Sequence, residues 1–258
     1  MNEKEYLKLE EEFNKYTSNY DLKDKNILLK YKHSFNVANF MEELANNLYL
    51  DKEDVYLSKA IGLLHDIGRF EQLKLFNSYD DSLYDHATFA CDYLFKDGHI
   101  RDFIKSDKND NIIREAIYNH NRYAIDKKLK GRELYFSKMI RDMDKLDIFF
   151  QIGYEFNPSF EERPSDRCLD LFYGGKTLKP KDRKNKSDSV LEVLAFLNDI
   201  NFKETFDMII ETDNLGFYLS SVEVSKDQEE LFNEIRNKCY EIVREENTVW
   251  HQKIIWTI

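Results

Sequence analysis

Six titratable side chains sit where the apolar stripes of helices should continue. Leu29, His33, Val37, Phe40 and Leu44 recur at helical spacing, so His33 takes an inward position. The run Ala60-Ile61-Gly62-Leu63-Leu64 leads directly into His65-Asp66. His86 heads the stripe Phe89, Ala90, Tyr93, and Ile113, Ala116 and Ile117 lead to His120. Asp144 lies four residues from both Ile140 and Ile148. A polar group on an inner face is costly unless something satisfies it. One such histidine is ordinarily a core residue bonded to a backbone carbonyl. Here four of the chain's 6 histidines share the placement with two carboxylates. Imidazole and carboxylate together are a ligand set for a divalent transition metal, so one metal centre accounts for all six. His99, behind Gly98 at a turn, and His251, near the end, read as surface residues.

The elements that must carry these residues are helices. Only 8 Gly and 3 Pro occur in 258 residues, which favours long uninterrupted helical runs. Periodicity predicts helices over about Asn2–Tyr16, Lys25–Asn47, Asp51–Asp66, Ser82–Phe95, Asn109–Asn121, Arg132–Gly153, Ser187–Asn198, Phe202–Glu211 and Asp227–Glu245. The third is expected to stop near Asp66, with Gly68 as its C-terminal breaker, and a helix C-terminus there turns partial negative charge toward a cation. All three prolines and Gly174-Gly175 fall between about Asn157 and Ser187, the one candidate long loop, with any sheet a small hairpin inside it. The expected architecture is a single all-α domain: a core over about 25–150, this loop, and a helical extension over about 188–258.

The order His33, then His65-Asp66, then Asp144 resembles the HD superfamily of metal-dependent phosphohydrolases. Leu-Leu-His-Asp-Ile-Gly-Arg at 63–69 and Arg-Asp-Met-Asp-Lys-Leu-Asp at 141–147 look like that family's second and last motifs. The resemblance implies a helical bundle and assigns the last ligand to Asp144, the aspartate before Lys145. Asp142 and Asp147 are weaker matches, and Asp147 shares Asp144's face as a candidate supporting group. Met143 replaces the alanine usual before that aspartate. Two added histidines, His86 and His120, are similar to those of the family's binuclear members. On that resemblance His33, His65, Asp66 and Asp144 hold one ion, and His86 and His120 hold a second that Asp66 bridges.

Two such cations can ionise water at neutral pH and stabilise an in-line displacement at phosphorus. Arg69 matches a position where relatives carry a cation facing phosphate, and Lys145 is a second candidate for that role. The expected reaction is therefore hydrolysis of a phosphomonoester or phosphodiester, above all of a nucleotide, by metal-activated hydroxide, with Asp66, Arg69 and Lys145 as catalytic residues. Mn, Fe, Co, Ni or Zn suits the ligands, and Mg suits one position at most. The alternatives are a di-iron oxygenase resembling myo-inositol oxygenase, which uses the same ligand types, and a non-catalytic nucleotide-binding protein.

Other features limit the partners. With 38 Lys+Arg against 49 Asp+Glu the net charge is −11, contrary to the clustered basic face of a nucleic-acid binder. Mean hydropathy is −0.65, and no stretch approaches the roughly 18 apolar residues that span a bilayer. Cys91, Cys168 and Cys239 form no CxxC pair and read as free thiols of a cytoplasmic protein. The basic run Lys176, Lys179, Lys181, Arg183, Lys184 and Lys186 is either a solvated stretch or a lid attracting an anion. Gly175-Lys176-Thr177 mimics the end of a phosphate loop, but Asp170 stands where its first glycine is required. The apolar tail Trp250, Ile254, Ile255, Trp256 and Ile258 is expected to dock on its own domain, with a homodimer contact the alternative.

Overall fold

In the computed structural model residues 1–255 are described, with the side chains of residues 154–155 and 246–255 excepted. Short polar side chains start the early helices. Asn2 accepts from the Glu5 amide and Glu5 returns the bond, a capping box that opens α1 (Glu3–Thr17). Asp24 caps α2 (Lys25–Asn47) and Asp51 caps α3 (Lys52–Leu64). After His65 and Asp66 comes α4 (Ile67–Phe76). Asp85 caps α5 (His86–Cys91), which continues as a π-helical turn over Asp92–Lys96. Then follow α6 (Ile100–Phe103), α7 (Asp110–Asn119), α8 (Gly131–Glu155), α9 (Asp166–Tyr173) and α10 (Lys186–Leu194). The last helices are α11 (Lys203–Thr212), α12 (Asn214–Ser221) and α13 (Glu229–Ile255). The fold class is all-α, in line with the sequence pattern. Two short strands, β1 (Ser159–Phe160) and β2 (Glu223–Val224), pair in parallel.

The chain packs as two compact units, Met1–Asp144 and Lys145–Ile258. In the first, α2 lies along α3, α1 and α7 pack on α3, α4 on α2 and α5, and α5 on α7. Leu9, Phe13, Val37, Met41, Leu57, Ile61 and Ile117 are completely buried there. Each such side chain contributes about 1.5–3 kcal/mol by leaving water. Gly62 lets the two main helices approach closely: a Cβ there would lie 2.7 Å from the Ala38 Cα and 3.0 Å from the Val37 carbonyl oxygen. That contact brings the α3 terminus, with His65, to the level of His33 on α2.

In the second unit α10 packs on α9 and β1, and α11 on α13. Buried Asp188 accepts the Ser165 amide and hydroxyl at 2.8 and 3.1 Å and the Lys184 amide at 2.7 Å. One carboxylate thereby ties both ends of the Pro- and Gly-containing segment together. Among the described residues no helix is long and apolar enough to cross a membrane.

Four expectations change. Gly68 does not end a helix; it lies in the first turn of α4, which the periodicity does not predict. The chain reverses at His65-Asp66 instead, and Gly68 is required by close approach, since a Cβ there would meet the His86 carbonyl oxygen at 2.1 Å. The segment 157–187 is not a bare loop, because α9 forms within it and buries Cys168, Leu169, Leu171 and Phe172. Eight helical residues between prolines and glycines are too few for a clear period. Nor is there a hairpin in that segment, as β1 pairs with the distant β2. Helix α12, equally short, is likewise without a signal in the periodicity. Cys91, Cys168 and Cys239 are free, and burial pushes the Cys91 and Cys239 thiols up to about 12, away from nucleophilic thiolate. The expectations for the tail side chains and for His251 lie outside the described residues.

Candidate metal centre

The His65-Asp66 pair occupies the junction between α3 and α4. His65 is the C-cap of α3, where the helix leaves carbonyls without amide partners, and its Nδ1 donates to the Gly62 carbonyl at 2.7 Å. Asp66 stands at the N-cap position of α4, yet its carboxylate makes no capping bond. An aspartate there ordinarily satisfies helix amides. This one is directed to the histidines instead, so a local stabilising contact is forgone.

The Asp66 carboxylate is the centre of the cluster. Its Oδ2 lies 3.5 Å from His33 Nε2 and 3.7 Å from His65 Nε2. Its Oδ1 lies 3.2 Å from His86 Nε2 and 3.5 Å from His120 Nε2. Asp144, on α8, places Oδ1 3.1 Å from His33 Nε2 and 3.7 Å from His65 Nε2. Around Asp66, His33, His65 and Asp144 lie on one oxygen's side and His86 and His120 on the other, and His120 is also within ligand range of His65 and Asp144. All four histidines and Asp66 are buried, while the Asp144 side chain is 16% exposed.

Proton placement tests whether these donors suit a cation. His65 donates from Nδ1 to Gly62, His120 from Nδ1 to the Ile117 carbonyl at 2.6 Å, and His86 from Nδ1 to Asp81 Oδ1 at 2.6 Å. Where Nδ1 alone carries the ring hydrogen, Nε2 is a bare lone pair. His86 Nε2 faces His120 Nε2 at 2.9 Å and His65 Nε2 faces His33 Nε2 at 3.2 Å, all beside carboxylate oxygens. Converging lone pairs and negative oxygens repel unless positive charge sits among them. Protons are a poor solution at His120, which burial pushes down to about 4. The donor set fits divalent transition-metal ions, and ligand atoms within each of the groups His33–His65–Asp66 and Asp66–His86–His120 lie within 4.8 Å of one another.

Burial by itself would raise the Asp66 carboxyl, but the Lys30 ammonium outweighs it, together with the facing imidazoles wherever Nε2 carries a proton in place of a cation, and the carboxyl is held well below the usual carboxylate range. The Asp144 carboxyl, against its own burial, is held low in the same sense by His33 and His65 when their Nε2 atoms carry protons. Both carboxylates are therefore ionised and ready to ligate at neutral pH.

Two residues at the site interrupt no apolar stripe and are not marked by the sequence pattern. Lys30 Nζ lies 2.9 Å from Asp66 Oδ2; its one signal is its place a turn before His33 on α2. Asp81, in the α4–α5 connection, bonds both His86 and Arg69, and nothing in the local pattern points to it. Arg69 is at the site, its Nε 3.7 Å from Asp66 Oδ1 and without a hydrogen-bond partner. Its terminal nitrogens, however, bond Asp81, Gln72 Oε1 and the Tyr79 carbonyl. Lys145 Nζ donates to Asp199 Oδ2 at 2.6 Å and to the Asp199 carbonyl at 2.9 Å within the second unit. Position on a helix face reveals exposure, not the partner that a long side chain reaches. Asp147 accepts from Gln151 one turn on, and Asp142 is buried. His99 is half-exposed, paired with Asp102 and stacked on Tyr93. In the basic run, Arg183 pairs with Glu192 at 3.2 Å and Lys186 lies 3.9 Å from Glu161.

No curated protein and no solved structure matches the chain. The family model described as HD domain matches residues 31–151, an interval that contains all six clustered residues. HD domains bind divalent metals and form a superfamily of metal-dependent, hydrolase-like proteins. Residues 31–151 of this chain are an HD domain and belong to that superfamily.

Proposed function

We infer that the protein is a metal-dependent phosphohydrolase that cleaves a phosphomonoester or phosphodiester, with nucleotides as the substrate class. One observation carries this reading: the bridging Asp66 is flanked by two cations, Lys30 at one oxygen and Arg69 at the other. Tyr79 adjoins both, its ring centroid 5.6 Å from Lys30 Nζ and 5.9 Å from the Arg69 guanidinium carbon. Cations beside a histidine–carboxylate cluster suit an anionic substrate better than a neutral polyol. Divalent ions at the cluster would supply hydroxide at neutral pH and neutralise charge developing on phosphorus oxygens. The protein's own contribution is positional. Asp66 would hold two ions at one separation, and the Nδ1 bonds of His65, His86 and His120 keep their Nε2 lone pairs aimed inward. Lys30 would neutralise a non-bridging phosphate oxygen, and the unpartnered Arg69 N–H would donate to another. No side-chain nucleophile is required. A small phosphorylated molecule, not a nucleic-acid polymer, is the fitting partner for a chain of net charge −11.

The test is hydrolysis of p-nitrophenyl phosphate, bis-p-nitrophenyl phosphate, nucleoside monophosphates and dinucleotides by protein loaded with Mn, Co or Zn. Asp66→Ala and His65→Ala should abolish turnover, and Lys30→Met should raise KM about tenfold or more, the loss of one charged contact. Unchanged hydrolysis in Asp66→Ala sinks the reading. So does an untouched panel coupled with substrate-dependent O₂ uptake by iron-loaded protein, which would select the oxygenase instead.

A further inference from the structure

The three histidines whose tautomers are set by Nδ1 bonds are not held alike. His65 and His120 are C-caps, of α3 and α7, and each donates Nδ1–H to the carbonyl three residues back on its own helix. Those carbonyls belong to a terminal turn and have no amide to accept, so the helix itself orients the ring. His86 is the first residue of α5, where the unsatisfied backbone groups are amides. A helix start offers donors, and an imidazole N–H needs an acceptor. That acceptor is Asp81, five residues earlier, at 2.6 Å. Asp81 is itself held on every side: Arg69 reaches it with two nitrogens at 2.8 and 3.3 Å, Gln72 Nε2 lies at 3.3 Å and Asn121 Nδ2 at 3.4 Å. Its side chain is only about one-third exposed, 34%.

We propose that Asp81 is a positioning residue that sets the affinity of the His86–His120 half of the metal centre by holding the His86 ring, and that it couples that half to the placement of Arg69. This rests on the binuclear, phosphate-binding reading of the site. An anionic acceptor behind a ligating imidazole fixes its orientation and makes the opposite nitrogen a better donor. The bonds that orient His65 run to Gly62, and those of Asp144 to His33 and His65, so the two halves should respond differently to a change at Asp81. Removing the Asp81 charge also frees the Arg69 guanidinium from its strongest anchor, and substrate affinity should change with it.

Titration of apoprotein with Mn²⁺, read by the electron paramagnetic resonance of free and coupled Mn²⁺, separates the possibilities. Wild type should take two equivalents with a spin-coupled signal. Asp81→Asn should keep the first equivalent and weaken the second 10- to 100-fold, the usual effect of removing such a partner, with the coupled signal lost. Asp81→Glu should restore part of it, and Asp81→Asn added to His86→Gln should cause no further loss. Arg69→Met should leave both equivalents in place while raising KM. Two equivalents of unchanged affinity in Asp81→Asn overturn the proposal and leave the binuclear centre standing. Fewer than two equivalents in wild type overturn the binuclear reading itself. Equal weakening of both equivalents in Asp81→Asn and Asp81→Glu would mark Asp81 as a general structural residue and also overturn the proposal.

Discussion

Gly68→Ala sets two effects of opposite sign against each other at the metal centre. In an ordinary helix interior the change is worth up to about 1 kcal/mol in favour of alanine. Gly68 is helical with negative φ, so propensity alone predicts stabilisation. The added Cβ, however, would lie 2.1 Å from the His86 carbonyl oxygen, 3.0 Å from its carbonyl carbon and 3.2 Å from the Ala90 amide nitrogen. These are backbone atoms, which no rotamer change can move. Ordinary contact begins at 3.4 Å, so α5 must retreat by at least 3.4 − 2.1 = 1.3 Å relative to α4. His86 opens α5 and travels with it, while Asp66 precedes α4 and stays. The 3.2 Å separation of His86 Nε2 from Asp66 Oδ1 would widen by a similar amount, against a tolerance of about 0.2 Å for metal–ligand bonds. Sterics therefore outweigh propensity, with a net loss of about 1–3 kcal/mol. On the proposed binuclear reading, metal content by elemental analysis of the variant should fall from two ions per chain to one. Turnover of the proposed phosphoester substrate should fall on the order of 100-fold, the scale of a 1 Å misplacement. A Gly68→Ala protein as stable as wild type and still holding two ions would refute the steric reasoning.

Two further predictions concern the other supports of the cluster. Arg141 donates to the Asn119 and His120 carbonyls at 3.0 and 3.2 Å and also to the Arg122 carbonyl, closing the α7 terminus that carries His120. Arg141→Met leaves the buried His120 carbonyl unmet at about 1–3 kcal/mol, while the Asn119 carbonyl keeps the Arg122 amide at 3.4 Å; denaturant titration should show a loss of about 1–3 kcal/mol, and a loss under about 1 kcal/mol would count against this role. The metal-free protein should also lose stability in acid. His120 binds its proton at about 4 in the fold against 6.5 unfolded, so between those values the unfolded chain holds more protons and stability falls as pH drops. The contribution is complete above about 6.5 and its loss through pH 4 amounts to about 3 kcal/mol, with Asp66 and Asp144 adding their own loss only below the ordinary carboxylate range. His120→Gln should flatten the decline between pH 6.5 and 4, and an unaltered slope in that variant would assign the effect elsewhere.

The all-α class and the six clustered residues are legible in the linear chain, and for one reason. A titratable side chain that interrupts an apolar stripe stands out in the pattern, because period and burial are properties of a single helix. How Asp66 divides the ligands is not legible there, since that depends on Gly62 bringing α3 onto α2 and Gly68 bringing α5 onto α4. Gly68 reads as a terminator for the same reason: glycine signals a backbone constraint without saying whether a turn or a neighbouring helix imposes it. Lys30 and Asp81 interrupt no stripe, so tertiary contact alone reveals them. Lys145 shows the converse, a residue next to a ligand whose long side chain goes to Asp199. Local pattern fixes which residues must be satisfied inside the fold. Helix-on-helix packing fixes which of them satisfy one another, because contacts between residues far apart in the chain, such as Asp66 with His86 and His33 with Asp144, are set by close approach of elements and leave no period in the chain.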